Sequence, residues 1–140
     1  MVGRETALLS PLRWHGRSRL EVYAVAAEQL ELAVRNTRVL ARAAIRAVEL
    51  DPDLPPEIPA AVRRLADAVR LTEDVLDARD HSRAIEPALE AARLATRALE
   101  ADPDLTAAHL VGQVRATATD LLRALGLDRA DAVARVRAAV

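Results

Sequence analysis

The sequence has 140 residues, of which 20 are basic and 21 acidic, and none is cysteine or phenylalanine. This length is typical of one domain, and the lack of cysteine excludes disulfides, thiol chemistry and cysteine-ligated zinc sites. A net charge of −1, with acids and bases intermixed, argues against nucleic-acid binding. The 31 alanines, together with leucine and valine, favour closely packed helices over a β-sandwich or barrel. We therefore predict an all-α fold, a helical bundle of four main helices plus a short C-terminal helix.

The N-terminal segment has no sustained helical period and is interrupted by Pro11 and Gly16. We predict a basic tethering arm over residues 1–17 and a helical bundle domain over residues 18–140. Ser18 and Glu21 have the spacing of a capping box, in which each side chain satisfies a free backbone N–H at the start of a helix. The first helix is therefore predicted to begin at Ser18.

The first predicted helix, from Ser18 to Leu50, contains a heptad seam. Apolar or small residues recur in alternating steps of three and four over more than four heptads. In this helix three acids lie in the first half (Glu21, Glu28 and Glu31) and four arginines in the second (Arg35, Arg38, Arg42 and Arg46), an order that suits the helix dipole. We expect the later helices to pack along the seam, which consists of Leu20, Tyr23, Ala27, Leu30, Val34, Thr37, Ala41, Ala44 and Val48.

A turn that contains Pro52, Pro55 and Pro56 separates the first helix from the second. After Pro55 and Pro56 a second helix is predicted from about Glu57 or Pro59 to Ala78, with Ile58, Val62, Leu65, Val69, Thr72 and Leu76 inward. A third is predicted from about Ala84 to Glu100, with Ile85, Leu89, Ala92, Thr96 and Leu99 inward. Pro87 is expected in the first turn of that helix, where proline breaks no hydrogen bond.

The last two helices are bounded by recognisable caps. The fourth follows Asp102-Pro103-Asp104 and ends at Gly126, with Ala107, Val111, Val114, Ala118, Leu121 and Leu125 inward. Asp128 is predicted to cap a short fifth helix that reaches about Ala139.

A short internal repeat relates the ends of two helices. Residues 41–54 match residues 92–105 at ten of fourteen positions, 51 residues apart. Both segments end in Asp-Pro-Asp-Leu, which resembles the closing turn of a tetratricopeptide repeat. The spacing differs from the 34 residues of that repeat, and its aromatic and Leu-Gly positions are absent. Two similar helix–turn endings within one bundle explain the match better, and tetratricopeptide-like architecture remains an alternative.

No constellation of residues predicts a catalytic, cofactor-binding or metal site. His109, Gln113 and Asp120 share one side of the fourth helix, but they include only one strong ligand pair and favour a polar helix face. Asn36 and Thr37 interrupt the first helix; either they fix the register of packing, or, as we favour, Asn36 faces water and Thr37 bonds to the preceding turn. With no glycine-rich phosphate loop or nucleophile elbow, we do not expect an enzyme.

The most specific stretch of the sequence lies in the fourth helix and the turn that follows it. Its pattern resembles the cytoplasmic C-terminal region of fusaric-acid-resistance-like (FUSC) membrane proteins, which are relatives of the aromatic acid exporters. Leu9–Arg13 and Leu32–Arg42 resemble upstream parts of the same region. The residues of the pattern are Val111, Gln113, Val114, Arg115, Thr117, Asp120, Leu121, Leu122, Arg123, Ala124, Gly126 and Leu127.

The resemblance implies a non-catalytic cytoplasmic module of a FUSC-like transport protein, with a role in packing or assembly. The implied partner is the membrane-spanning part of the same protein, which this chain lacks, and a homo-oligomer is a further expectation. No uncharged run approaches the roughly 20 residues that span a bilayer, so the chain itself is expected to be soluble, at the cytoplasmic face of the membrane. The alternative is a stand-alone helical scaffold or ligand-binding domain.

Overall fold

The computed structural model describes residues 19–50, 53–77, 81–101, 103 and 105–139. The helices are α1 (Arg19–Leu50), α2 (Glu57–Asp77), α3 (Ser82–Ala101), α4 (Leu105–Ala124) and α5 (Arg129–Ala138). No β-strand occurs in these ranges, which confirms the all-α bundle. The predicted tethering arm and the Ser18 cap lie outside the described residues.

Helix α4 is the centre of the bundle. It contacts all four other helices, and α2 and α3 pack against each other on one side of it. All six residues predicted to face inward from α4 are buried, and Leu110 and Leu122 join them. These buried side chains recur at close intervals along α4 and form one broad stripe, as a central helix requires.

The packing of α3 depends on alanine. Six of its alanines are buried with no accessible surface, and the larger predicted residues Ile85, Leu89 and Leu99 are only half-buried. Alanine occupies little space, so α2 and α4 can approach the α3 backbone closely, and interiors packed this way tolerate little change in volume. The six residues are Ala84, Ala88, Ala91, Ala92, Ala95 and Ala98.

The predicted seam of α1 is not the face that packs against the bundle, and that prediction is wrong. The buried residues of α1 include Ala26, Ala33, Leu40 and Ala47, spaced by seven residues but displaced by one from the predicted set. Among the described helices α1 packs against α4 alone. Small side chains at 26, 33 and 47 let the two backbones approach, whereas a prediction weighted toward large apolar residues selects the neighbouring stripe.

Some residues of the predicted seam lie at the edge of the core and the others are exposed to solvent. Leu30 and Ala44 are half-buried and pack at the edge of the core, whereas the other seven residues of the seam are exposed.

Two further predictions need correction. α3 begins at Ser82, two residues earlier than predicted, so Pro87 lies in its second turn and not in its first. The backbone N–H of Ala84 donates to the His81 carbonyl at 3.3 Å, which fixes the early start. On α2, Val62 and Val69 are exposed, because the buried stripe runs through Ala61 and Ala68 instead. The other residues of that stripe are Ile58, Leu65 and Thr72.

The connection from α4 to α5 is as predicted. Gly126 has φ of 95°, and the Leu127 N–H donates to the Leu122 carbonyl at 3.1 Å while the Gly126 N–H donates to Arg123 at 2.9 Å. This pair of bonds is a Schellman motif, which requires the left-handed backbone that glycine adopts freely. Asp128 Oδ1 then accepts the Asp131 N–H at 2.8 Å and caps α5.

Candidate functional site

The outward face of α1 carries a row of exposed apolar side chains. We define the outer stripe as Leu20, Ala27, Val34, Ala41, Ile45 and Val48. The exposed fractions are 81% for Leu20, 51% for Val34, 61% for Ile45 and 53% for Val48, and Ala27 and Ala41 are also exposed. Five of the six residues recur at steps of seven, so they lie along one side of the helix. A row of large aliphatic residues in water is typical of an interaction surface.

Charges on α1 are segregated along its length. Glu21, Glu28 and Glu31 lie in the N-terminal half, and four arginines follow at 35, 38, 42 and 46. All seven side chains are exposed. Arg19, in the first turn, and Glu49, in the last turn, depart from this order. The outer stripe is therefore flanked mainly by negative charge in the N-terminal half of α1 and mainly by positive charge in the C-terminal half.

A polar contact fixes α1 against α4. Asn36 Nδ2 donates to Asp120 Oδ2 at 2.6 Å, and both side chains are half-buried. The favoured interpretation that Asn36 faces water is wrong, and the alternative, a polar residue that sets the register of packing, fits this geometry. Thr37 does bond to the preceding turn, since its Oγ1 donates to the Ala33 carbonyl at 2.8 Å.

Asp120 is the ionisable group of this contact. Partial burial raises its pKa above the ordinary value of 3.8, while the hydrogen bond from Asn36 and the charges of Arg123 and Arg129 act in the opposite direction. The half-buried carboxylate is thus harder to ionise than one in water. The group that donates to this carboxylate is the neutral amide of Asn36, which suits positioning of the two helices better than proton transfer.

The structure does not bring His109, Gln113 and Asp120 together as a site. His109 is exposed, Gln113 is half-buried, and Asp120 is engaged with Asn36. Eleven residues of helix separate His109 from Asp120, a rise of about 16 Å. His109 instead borders a shallow open groove between α1 and α4, lined by Val39, Arg42, Ala43, Arg46, Leu50 and Thr106.

Other polar clusters in the described ranges are ion pairs on helix surfaces. On α3, Arg93 Nε lies 2.6 Å from Glu90 Oε2, and the same guanidinium pairs with Glu86. The hydrogen bond from Arg93 is the main reason that the pKa of Glu90 is lowered. Arg93 and Glu90 are one turn apart and half-buried, and ion pairs at this spacing stabilise a helix modestly.

No group of three histidine or acidic side chains in the described part of the chain could hold a metal ion. The side chains of the acidic cluster at the end of α2 (Glu73, Asp74, Asp77 and Asp80) lie outside the described residues.

Fold and surface together define a helical bundle with one apolar, charge-segregated helix face. The chain is similar to an uncharacterized protein from Corynebacterium glutamicum, with 31% identity over 144 residues that cover 94% of this chain and 36% of the relative. The chain thus spans about a third of the length of that relative. No family model matches the chain, and neither does any solved structure. In the described ranges, no helix is both long and apolar enough to cross a bilayer.

Proposed function

We propose that this chain is a non-catalytic helical module of a FUSC-like membrane transport protein, located at the cytoplasmic face and acting in packing or assembly. The observation that supports this proposal most directly is the outer stripe of α1. Apolar side chains that remain exposed along a helix gain free energy when another surface covers them, at roughly 25 cal/mol per Å². A module whose role is assembly needs such a surface, whereas a self-contained protein gains nothing from it.

The arrangement of the resembling segments supports the same proposal. Asn36 belongs to the segment Leu32–Arg42 and Asp120 to the segment in α4, and these two residues form the hydrogen bond between α1 and α4. Val111, Val114, Leu121 and Leu122, all of the α4 pattern, are core residues. The resemblance therefore rests on residues that hold the helices together, which suits a structural role.

The relative from Corynebacterium glutamicum adds a second line of support. The aligned region covers nearly all of this chain and only 36% of the relative. A segment that occurs within a longer protein is the arrangement expected of a module. The proposal places membrane-spanning segments in the part of the relative that this chain does not match.

Immunoblotting of the source cells with antibodies against this chain tests the proposal. We expect a band well above 15.1 kDa in the membrane fraction, one that detergent releases and alkaline carbonate does not. A band near 15.1 kDa in the cytosolic fraction would refute the proposal and favour a stand-alone scaffold or ligand-binding domain. Antibodies against an integral membrane protein and a cytosolic enzyme serve as controls for the fractionation.

A further inference from the structure

We propose that the outer stripe of α1 is a homodimer interface in which the α1 helices of two copies pack antiparallel. The inference deepens the assembly role given above, because it names a second copy of this chain as the partner. It depends on the geometry of α1 and on the distribution of its charges.

The outer stripe has the spacing of a helix–helix contact. Leu20 and Val48 are 28 residues apart, which corresponds to about 42 Å of helix. Residues at steps of seven can face one partner helix along this whole length. The alanines at 27 and 41 are small enough for a second backbone to approach closely. The face of α1 that packs against α4 is centred one residue earlier than the outer stripe, about 100° around the helix. The two faces therefore lie side by side, and the stripe residues remain exposed beside α4, where a partner can reach them.

The charges select the orientation. In a parallel pair, the glutamates at 21, 28 and 31 would face glutamates of the other copy, and the arginines at 35, 38, 42 and 46 would face arginines. Like charges that meet across a helix–helix contact are unfavourable, so the parallel arrangement is disfavoured. In an antiparallel pair each mainly acidic half faces a mainly basic half. Because both complementary halves belong to one chain, the surface is complementary to itself.

The stripe also has the symmetry that such a dimer needs. Leu20 and Val48 are each fourteen residues from Val34, and Ala27 and Ala41 are each seven residues from it. A two-fold axis through Val34 therefore places Leu20 opposite Val48 of the second copy and Ala27 opposite Ala41. An interface of this kind closes on itself, as two-fold dimers do.

Cysteine cross-linking of the full 140-residue chain tests the orientation, and the native sequence has no cysteine to interfere. Leu20→Cys and Val48→Cys variants are mixed and treated with a short bis-maleimide reagent. We expect cross-linked dimers in the mixture and few in either variant alone, while Val34→Cys alone should cross-link efficiently. Cross-linking of Leu20→Cys with itself would overturn the antiparallel arrangement.

Sedimentation equilibrium tests the dimer itself. We expect a mass of about twice 15.1 kDa and, for Val34→Asp, a dissociation constant at least about tenfold higher, because that variant buries an unpaired charge in the contact. Val69→Asp is the matched control, since Val69 is 49% exposed on α2 and lies outside the outer stripe. A monomeric native chain, or equal weakening by both variants, would overturn the proposal. A monomer together with a long membrane-bound band in the immunoblot would leave the proposed function intact.

Charge reversal provides an independent check. Glu28→Arg with Glu31→Arg should weaken the dimer, and addition of Arg38→Glu and Arg42→Glu in the same chain should restore it. Failure of the second pair to restore association in a chain that retains its helical spectrum would contradict the role of these charges.

Discussion

Enlarging Ala95 tests the close packing of α3 most directly. Ala95 has no accessible surface, and its helix lies in contact with both α2 and α4. Ala95→Leu adds three carbon atoms where no space is available, and overpacking of this kind costs about 1–3 kcal/mol. For a domain of this length each kcal/mol lowers the melting temperature by about 3–4 °C. We expect Ala95→Leu to melt about 3–12 °C below the native chain.

Shrinking the same residue should also destabilise the fold. Ala95→Gly removes one buried methyl group, worth about 0.8 kcal/mol, and adds about 1 kcal/mol of helix-propensity cost. A loss of about 2 kcal/mol is expected, so both the larger and the smaller residue are unfavourable at this position. That combination is the signature of a site filled to capacity.

Thermal and urea unfolding followed by far-ultraviolet circular dichroism measures both variants. Ala108→Leu is the matched control, since Ala108 is an exposed residue of α4, and surface substitutions of this kind change stability by less than about 0.5 kcal/mol. If Ala95→Leu melts at or above the native temperature, space exists beside α3 and the argument for close alanine packing is wrong.

Three further predictions concern the caps, the helix phase and the polar contact. Gly126→Ala should lower the free energy of unfolding by about 1–2 kcal/mol, because residue 126 has a left-handed backbone that alanine adopts at a cost. Gly112→Ala should raise it by about 0.5–1 kcal/mol, because the added Cβ meets nothing within 4 Å. Equal effects of the two variants in urea unfolding would contradict the assigned cap. Leu40→Ala should cost about 2–3 kcal/mol, because Leu40 is buried against α4, and a loss below about 0.5 kcal/mol would restore the seam predicted from sequence. The pKa of Asp120 is higher in the folded chain than in the unfolded one, so its contribution to stability is present in acid and is lost as the pH rises through the folded pKa. Asp120→Asn should remove this pH-dependent loss of stability. If the native chain instead becomes more stable relative to the variant between about pH 4 and pH 7, the pKa of Asp120 is lowered on folding and the argument is wrong.

The sequence predicted best where helices are buried on one broad face. Every residue expected inward from α4 is buried, and the caps at Gly126 and Asp128 were predictable because backbone chemistry permits few alternatives there. The phase of α1 could not be predicted, because two apolar stripes run side by side on that helix and periodicity does not distinguish an inner face from an outer one. The small residues Ala33 and Ala47 determine which stripe packs against α4, because they let the two helix backbones approach closely. A count of large apolar residues does not detect this effect.

The polar contact between α1 and α4 shows a different limit. The sequence singles out Asn36 as an interruption of the first helix and assigns Asp120 to a polar face of the fourth, yet the two residues are 84 positions apart, and no local pattern relates them. Only the antiparallel alignment of α1 and α4 makes them neighbours. Five of the six residues of the outer stripe belong to the predicted seam, and Ile45 does not; their exposure depends on where the other helices pack, which the periodicity of α1 does not show.

The attachment of α1 to α4 alone has a consequence for how the domain opens. Release of α1 breaks one helix–helix interface and leaves every other contact between the described helices in place. Helix α3, by comparison, cannot leave without separating from α2, α4 and α5. The bundle therefore consists of a peripheral unit and an inner unit that can open in succession, as cooperative substructures do. A helix that detaches without unfolding its neighbours can also be exchanged between copies, so the same α1 that offers an outer surface is the natural element for domain swapping.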